Sequence, residues 1–231
     1  MYDKWIKVLS GSLLFDGIDS KELELMLECL KPKIVSCRKN EFIVASGEKF
    51  VGIGILLSGS ASVSKENFSG NRVIIEILKP GEMFGEMAAF SKNAVWPASV
   101  LTQDECSVIF ISPEKIIGEC EKMCPSHKSL MKNMLRIVSE KALMLNRKVE
   151  YLSIKSMRAK ICTYLFEQYK KSGSKLFMIP MNRNELADFL NVSRPSMSRE
   201  MSRLREEGII DFHRDSIRIN DIEALKEMLE I

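Results

Sequence analysis

Four consecutive residues, Gly85-Glu86-Met87-Ala88, combine a flexible backbone with a carboxylate and so could bind a small polar ligand. Glycine lets the backbone approach a ligand closely, and the amide groups after it can donate hydrogen bonds to an anion such as phosphate. The Glu86 carboxylate can accept hydrogen bonds from a sugar hydroxyl. Because a Gly-Glu pair is also common in plain turns, this assignment depends on the fold around it.

A second polar group has the chemistry of a DNA-reading helix. If Met197, Met201 and Leu204 face inward, Arg194 and Arg199 lie on the exposed side of the same helix. Arginine can donate two hydrogen bonds to guanine O6 and N7 in the major groove. The predicted DNA-binding residues are Arg183, Ser193, Arg194, Pro195, Ser196, Ser198 and Arg199. The alternative is a helix pair whose arginines are merely solvated.

The distribution of histidine argues against metal and enzymatic chemistry. Neither His127 nor His213 lies between residues 33 and 111, where a metalloenzyme of the cupin type would need several converging histidines. No nucleophile with an adjacent base stands out either. We therefore expect no catalytic activity, no metal and no cofactor.

Six cysteines are dispersed along the chain, at positions 29, 37, 106, 120, 124 and 162. In a reducing compartment, free buried thiols are the usual outcome. Cys120 and Cys124 could pair or bind metal, although no further cluster completes a site of four ligands. A thiol switch that uses Cys106, Cys120 or Cys124 stays open.

The segment from Lys33 to Ile111 has the pattern of a β-rich domain. Short apolar runs alternate with turns such as Ser58-Gly59 and Pro80-Gly81. Many short strands with glycine at the turns predict a sandwich or a closed roll, whose interior can hold a small ligand. Helices are expected before this segment, one of them capped by Asp19 or Ser20.

A long helix is predicted from Ser126 to Leu152. Its apolar residues recur alternately four and three positions apart, and they are Met131, Leu135, Val138, Ala142, Leu145, Val149 and Leu152. This heptad seam is what two helices that wind around each other require, so it predicts a homodimer. A second apolar row would face the helix's own chain, and it comprises Leu130, Met134, Ile137 and Met144. The alternative is a core helix inside a monomer.

The chain after the long helix has the pattern of a winged helix-turn-helix. Ser153 to Ser156 is a candidate hinge. Asn182 is an N-cap candidate with an acid three residues later, and Ser193 caps the next helix, whose first turn tolerates Pro195. The run from Gly208 to Ile219 predicts a two-stranded wing, and a short acidic helix follows.

Length and charge agree with two domains and a polyanionic partner. A chain of 231 residues suits two domains. The net charge is +7 from Ser153 to Arg205 and −5 from Glu206 to Ile231, so positive charge is concentrated where nucleic acid would dock. We see neither a signal peptide nor an apolar run long enough to cross a membrane, and we expect a cytoplasmic protein.

The order of these parts resembles the CRP/FNR family of bacterial transcription factors. The similarity covers almost the whole chain. It consists of Pro80-Gly81 followed by Gly85-Glu86-Met87-Ala88 in a predicted β-roll, then a long dimerisation helix and a helix-turn-helix. The resemblance implies an α+β fold with a jelly-roll sensor domain of the cyclic-nucleotide-binding type over residues 1–125. A dimerisation helix over residues 126–152 and a winged helix-turn-helix over residues 153–231 would follow.

The chain departs from cyclic-AMP-binding members of that family at the phosphate contact. Those members have an arginine that grips the cyclic phosphate, whereas the matching residues here are Trp96 and Pro97. Loss of a charged hydrogen bond costs about 1.5–3 kcal/mol, so we do not expect cyclic AMP to be the effector. Either an apolar or aromatic molecule binds, or Trp96 fills the pocket. The expected effector residues are Gly85, Glu86, Met87, Ala88, Trp96 and Ser99.

Two other sensing modes of the family fit poorly. Iron–sulphur members have a tight cysteine cluster near the N-terminus and another cysteine in the roll, whereas here only Cys29 and Cys37 are near. Haem sensing would need an axial ligand in the roll, and both histidines lie outside it. The resemblance therefore leaves the nature of the signal open.

The resemblance also bears on the DNA sequence that is read. Members that bind TGTGA-like half-sites begin the reading helix with Ser-Arg-Glu and have another arginine five residues after the first. This chain keeps Ser193, Arg194 and Arg199 but has Pro195 in place of the glutamate. Glutamate accepts a hydrogen bond from cytosine N4 and proline cannot, so the half-site should differ at that base pair.

Together these patterns predict a homodimeric, sequence-specific transcriptional regulator that responds to a small molecule or a redox signal through its roll. The expected partners are double-stranded DNA with a palindromic operator, a second copy of the chain, an effector and RNA polymerase. The alternative is a sensing dimer whose basic segment binds a protein instead of DNA.

Overall fold

The computed structural model describes residues 2–66, 72–118 and 125–229, without the side chains of Arg72 and Pro125. Cys120 and Cys124, which the sequence suggested as a metal-binding or redox pair, lie outside the described residues. The helices are α1 (Ile6–Ser10), α2 (Ser20–Leu30), α3 (Pro113–Ile117), α4 (Pro125–Ser153), α5 (Met157–Ser172), α6 (Arg183–Leu190), α7 (Arg194–Glu206) and α8 (Ile222–Glu227).

The β-rich segment forms two four-stranded sheets. The strands are β1 (Lys33–Cys37), β2 (Phe42–Val44), β3 (Ile53–Ser58), β4 (Ala61–Glu66), β5 (Arg72–Leu78), β6 (Met83–Phe84), β7 (Ser99–Thr102) and β8 (Cys106–Ile111). One sheet has the order β1-β8-β3-β6 and the other β2-β7-β4-β5, with antiparallel pairs. The predicted β-roll is therefore present, and its sixth strand is a two-residue strand that the sequence did not predict.

The central strands of the first sheet are buried on both faces. On one face, Ile55 and Ile109 pack with the N-terminal helices and the start of α4. On the other face, Leu56 and Val108 pack against residues of the second sheet such as Val100. This double burial explains why β3 and β8 are continuous apolar runs instead of alternating ones.

The chain divides into two compact units, Met1–Lys141 and Ala142–Ile231, and the boundary falls inside α4. We predicted boundaries at the two ends of this helix instead. The first half of α4 belongs with the roll because Leu130, Met134 and Ile137 are buried in the core of that unit. Met144, which we assigned to the same row, is 63% exposed, so that row ends before the unit boundary.

The second unit is a helical domain with a small sheet. Helices α5, α6, α7 and α8 surround a core that includes Ile161, Leu186 and Leu204. The sheet has the order β10-β11-β9, with β9 at Leu176–Met178, β10 at Ile210–His213 and β11 at Ser216–Ile219. The predicted two-stranded wing is present as the antiparallel pair of β10 and β11. Strand β9 adds a third strand that we did not predict, because three residues are too few to show a strand period in sequence.

Helix ends follow the predicted capping chemistry. The Asn182 side chain accepts hydrogen bonds from the amides of Asn184 and Glu185, and the Glu185 carboxylate accepts one from the Asn182 amide, which completes a capping box. Asn191 adopts the left-handed conformation that ends α6, with φ at 53°. No helix in the described part of the chain is long and apolar enough to cross a membrane.

Candidate functional site

Gly85 and Trp96 fit together at the inner wall of the roll. Gly85 has a φ of +86°, and a Cβ atom there would lie 2.6 Å from Cζ3 of the Trp96 ring. Both the backbone conformation and the contact therefore require glycine. Trp96 is 3% exposed, and its ring centroid lies 4.6 Å from that of Phe50 and 5.8 Å from that of Phe84. Trp96 is thus part of the hydrophobic core of the roll, and its ring also contacts Gly85 on the inner surface of the roll.

A cavity of about 440 Å³ adjoins this wall. Five of the six predicted effector residues line it, and they are Gly85, Glu86, Met87, Ala88 and Trp96. Ser99 does not line it, because its Oγ accepts a hydrogen bond of 2.9 Å from the Ser46 amide. Most of the remaining lining is apolar, and it includes Val63, Ile75, Met83, Val95 and Val100.

Glu86 is the most deeply buried charged group of this cavity. It is 4% exposed, and its Oε1 accepts a hydrogen bond of 2.6 Å from Nζ of Lys141 on α4. Its Oε2 is buried and has no hydrogen-bond partner among the described residues. A buried carboxylate oxygen without a donor is costly, so a ligand that donates a hydrogen bond to it would bind favourably.

Lys141 is a site residue that the sequence analysis did not single out. It is separated from Glu86 by 55 positions and was only one of several charged residues on the long helix. Both residues affect Glu76, which also lines the cavity. Burial raises the pKa of the Glu76 carboxyl, Lys141 opposes that shift, and Glu86 adds to it.

The charges that line the cavity balance. Lys65 and Lys141 are matched by Glu76 and Glu86 among the described lining residues. A phosphate would therefore meet two carboxylates, and the lysine nearest to Glu86 is already paired with it. Trp96 lines the same wall, and its indole has no positive charge with which a phosphate could pair.

The second candidate site is the exposed side of α7. Ser193, Arg194, Pro195, Ser198 and Arg199 are exposed there, while Met197 and Met201 are buried as predicted. Ser196 is half-buried, and its Oγ lies 2.7 Å from Oγ of Ser193 and 3.3 Å from Nη2 of Arg199. The Ser193 Oγ also caps α7 by accepting from the Ser196 amide.

Arg183 is the one predicted DNA-binding residue whose guanidinium packs inside its own unit. It is half-buried, lies 5.0 Å over the Phe212 ring, and donates a hydrogen bond of 2.9 Å to the Arg214 carbonyl in the turn between β10 and β11. Burial lowers the pKa of Arg183. Arg205 also lies over Phe212, at 4.7 Å. These contacts hold the wing turn against the helices.

The predicted dimer seam is exposed on most of its length. The exposed fractions are 71% for Leu135, 36% for Val138, 48% for Leu145, 60% for Val149 and 46% for Leu152. Ala142 is also exposed and Met131 is half-buried. A row of large apolar side chains along one helix face is unusual for a surface that stays in water.

Within the described residues, no group of three or more His, Cys, Asp or Glu side chains converges to hold a metal ion.

Two family models match the chain. The model of the cyclic nucleotide-binding domain matches residues 34–122, and that of the Crp-like helix-turn-helix domain matches residues 159–228. The chain is 21% identical over 220 residues to the cyclic AMP receptor protein of Thermus thermophilus, covering 95% of this chain and 98% of that protein. It is 24% identical over 207 residues to the regulatory protein HlyX of Actinobacillus pleuropneumoniae, covering 88% and 83%.

A solved structure with the same fold is the catabolite activator protein of Thermus thermophilus. The TM-score is 0.55 at 20% identity, covering 94% of this chain and 98% of that one. A roll of the cyclic nucleotide-binding type followed by a Crp-like helix-turn-helix defines a class of DNA-binding transcriptional regulators. Within that class the chain belongs to the CRP/FNR family, which confirms the resemblance inferred from its sequence.

Proposed function

We propose that this protein is a homodimeric, sequence-specific DNA-binding regulator whose affinity for its operator is set by a small molecule in the roll cavity. The observation that carries the DNA-binding part is the exposed face of α7, where Arg194 and Arg199 are both free of contact with the core. A capped helix with two arginines near its N-terminus has the donors that read guanine in a major groove.

The homodimer is supported by the exposed apolar seam of α4. The heptad spacing from Met131 to Leu152 suits two helices that interlock. A two-fold axis along that seam would present two copies of α7 to successive major grooves, about 34 Å apart. The operator would then be a palindrome with half-sites one helical turn apart.

The effector we propose is an uncharged, largely apolar molecule and not cyclic AMP. The charges of the described cavity lining cancel, and the indole of Trp96 stands where a phosphate would need a cation. The unpartnered Oε2 of Glu86 favours a ligand with one O–H or N–H donor.

Signalling would act through the ion pair between Glu86 and Lys141. A donor on the ligand would compete with Lys141 for the buried carboxylate, and Lys141 lies on α4 directly before the second half of the seam. Weakening or strengthening the Lys141–Glu86 ion pair would change how firmly α4 is attached to the roll. The packing of the two α4 seams in the dimer would change with it. A ligand shifts such an equilibrium only by its difference in affinity for the two states.

The experiment is a selection of random DNA duplexes by the purified, reduced protein. We expect a palindrome, and Arg194→Ala with Arg199→Ala should abolish its enrichment. Lys171→Ala with Lys175→Ala is the matched control, because it removes the same charge outside α7. Affinity should fall steeply with salt, since each phosphate contact contributes a slope of about −0.9.

Two outcomes would overturn the proposed DNA reading. One is enrichment of the same palindrome by the double arginine variant. The other is the absence of salt-dependent DNA binding in the wild type. The second outcome would favour the alternative, in which the basic segment binds a protein partner.

If an operator is selected, transcription assays with RNA polymerase on that operator would distinguish activation from repression.

A further inference from the structure

Two cysteines lie opposite each other on the edge strand of the first sheet and on the strand next to it. Cys37 is the last residue of β1, Cys106 is the first residue of β8, and they are directly opposite in the antiparallel register. Both are free thiols, and they are 6% and 1% exposed. Their pairing could not be predicted from the sequence, because 68 residues lie between them in the chain.

The register brings these residues to a separation that a disulfide can span. Directly opposite residues on antiparallel strands point to the same face, with Cα atoms about 4.5 Å or about 5.5 Å apart. A disulfide joins Cα atoms that are about 4.4–6.8 Å apart. Both values lie inside that range, so β1 and β8 need not separate for the bond to form.

The shared face of the two cysteines is the interior of the roll. Cys106, Val108 and Phe110 alternate along β8 and belong to the same core as Trp96. In the opposing strand, Val35 packs against that core and Cys37 is two positions further on. Because β1 is at the edge of its sheet, β8 is its one strand neighbour, and a covalent link would fix that edge.

Both sulfur atoms are held as thiols in the present structure. Sγ of Cys106 lies 3.2 Å from the Ser60 carbonyl, in the turn between β3 and β4, and 3.3 Å from the Asp104 carbonyl, in the turn between β7 and β8. Burial raises the pKa of both thiols, and Cys106 adds to the shift at Cys37. To reach Cys37, the sulfur of Cys106 must rotate away from these two weak contacts.

We propose that Cys37 and Cys106 form a reversible cross-strand disulfide when the protein meets a hydroperoxide. With hydrogen peroxide, the Cys37 thiol gives up its proton and its sulfur attacks one peroxide oxygen. The O–O bond breaks, the departing oxygen takes up the proton, and water and a sulfenic acid result. The sulfur of Cys106 then attacks that of Cys37, the S–O bond breaks, and a second water leaves. Two thiols lose two electrons to one peroxide, and a dithiol reductant reverses the reaction.

The test is disulfide mapping of the wild-type protein after exposure to hydrogen peroxide. The folded, reduced protein is oxidised, quenched in acid, alkylated and digested, and the peptides are identified by mass spectrometry. We expect a linked pair of peptides that contains Cys37 and Cys106, lighter by two hydrogen atoms and restored by dithiothreitol. Because the mapping uses the wild-type chain, the result does not depend on a variant that folds.

Cysteine variants then test whether the disulfide raises the melting temperature. Oxidation should raise the melting temperature of the wild type and of Cys29→Ser, which changes a cysteine outside the pair. It should leave Cys37→Ser and Cys106→Ser unchanged. The proposal is overturned if both cysteines remain open to alkylation after unfolding, if either links to a different cysteine, or if Cys37 proceeds to sulfinic acid without a link. None of these readouts depends on DNA binding.

Discussion

At the scale of single residues, one cysteine acquires an unusual pKa from burial. Cys162 is completely buried in the core of the second unit, and burial raises the pKa of its thiol to about 11 from an ordinary value of 9.0. Arg158 opposes this shift and does not cancel it. The unfolded chain therefore loses this proton at a lower pH than the folded chain does.

We predict that this cysteine makes the second unit sensitive to alkali. Its contribution is fully present below about pH 9 and is lost as pH rises toward about 11, because only the unfolded thiol ionises in that window. Urea unfolding, followed by circular dichroism at a series of pH values, measures the loss. In Cys162→Ala the decline between these pH values should be smaller. An identical decline in both proteins would contradict the prediction.

Trp96 illustrates how one residue decides what a cavity can hold. In sequence it was a departure from an expected arginine, and two interpretations stayed open. In the structure it packs with Phe50 and Phe84 and still leaves a cavity of about 440 Å³ beside it. A buried Trp96 side chain and a cavity with room for a ligand beside it are therefore compatible.

At the scale of elements, periodicity and capping made most of the fold predictable. Strand β1 begins at Lys33 and β8 ends at Ile111, and these are the two ends of the β-rich segment predicted from short apolar runs and turns. Helices α6 and α7 begin at the predicted caps, Asn182 and Ser193, because capping is a local interaction between a side chain and nearby amides. Local interactions leave a local signature in the sequence.

The features that sequence could not give are short or non-local. Strands β6 and β9 have two and three residues, too few to show an alternation of side chains. The Glu86–Lys141 pair joins residues 55 positions apart, and nothing near Lys141 distinguishes it from other lysines on α4. Arg183 was assigned to DNA by its charge, while its contact with Phe212 is visible only once the wing has folded.

We predict that the α4 seam is the dimer interface. Leu145→Glu should weaken dimerisation at least tenfold, because each leucine removed from an apolar interface costs about 1.5 kcal/mol or more and a dimer loses two. Sedimentation velocity over a range of concentrations measures the change. Met144→Glu is the control, since it puts the same carboxylate in place of an apolar side chain that is 63% exposed and outside the seam. Equal dimer affinities for wild type and Leu145→Glu would exclude this interface.

At the scale of the whole molecule, one helix belongs to both compact units. Its first half is held by the roll through Leu130, Met134 and Ile137, and Asn133 donates hydrogen bonds to the carbonyls of Leu14 and Asp16. The last contact of this half is the Lys141–Glu86 ion pair. Breaking or forming this ion pair therefore alters α4 at the boundary of the first unit, and the same helix continues into the second unit.

We predict that Lys141→Met alters DNA affinity although Lys141 lies outside the DNA-binding helix. The change leaves the Glu86 charge buried without its partner, which should destabilise the first unit by about 1–3 kcal/mol. The double variant with Glu86→Gln should recover stability and lose the response to effector. Denaturant unfolding and operator titration measure the two effects. Lys132→Met, on the same helix, is the control, and equal behaviour of the two single variants would refute the coupling.

The placement of the aromatic residues has a practical consequence for watching this protein in solution. Both tryptophans, Trp5 and Trp96, lie in the first unit, whereas Tyr151, Tyr164 and Tyr169 lie in the second. Tryptophan emission excited at the red edge therefore reports on the first unit alone, and Trp96 reports from the wall of the cavity. Tyrosine absorbance is weighted toward the DNA-binding unit. The unlabelled protein thus carries a separate optical reporter for each of its two units.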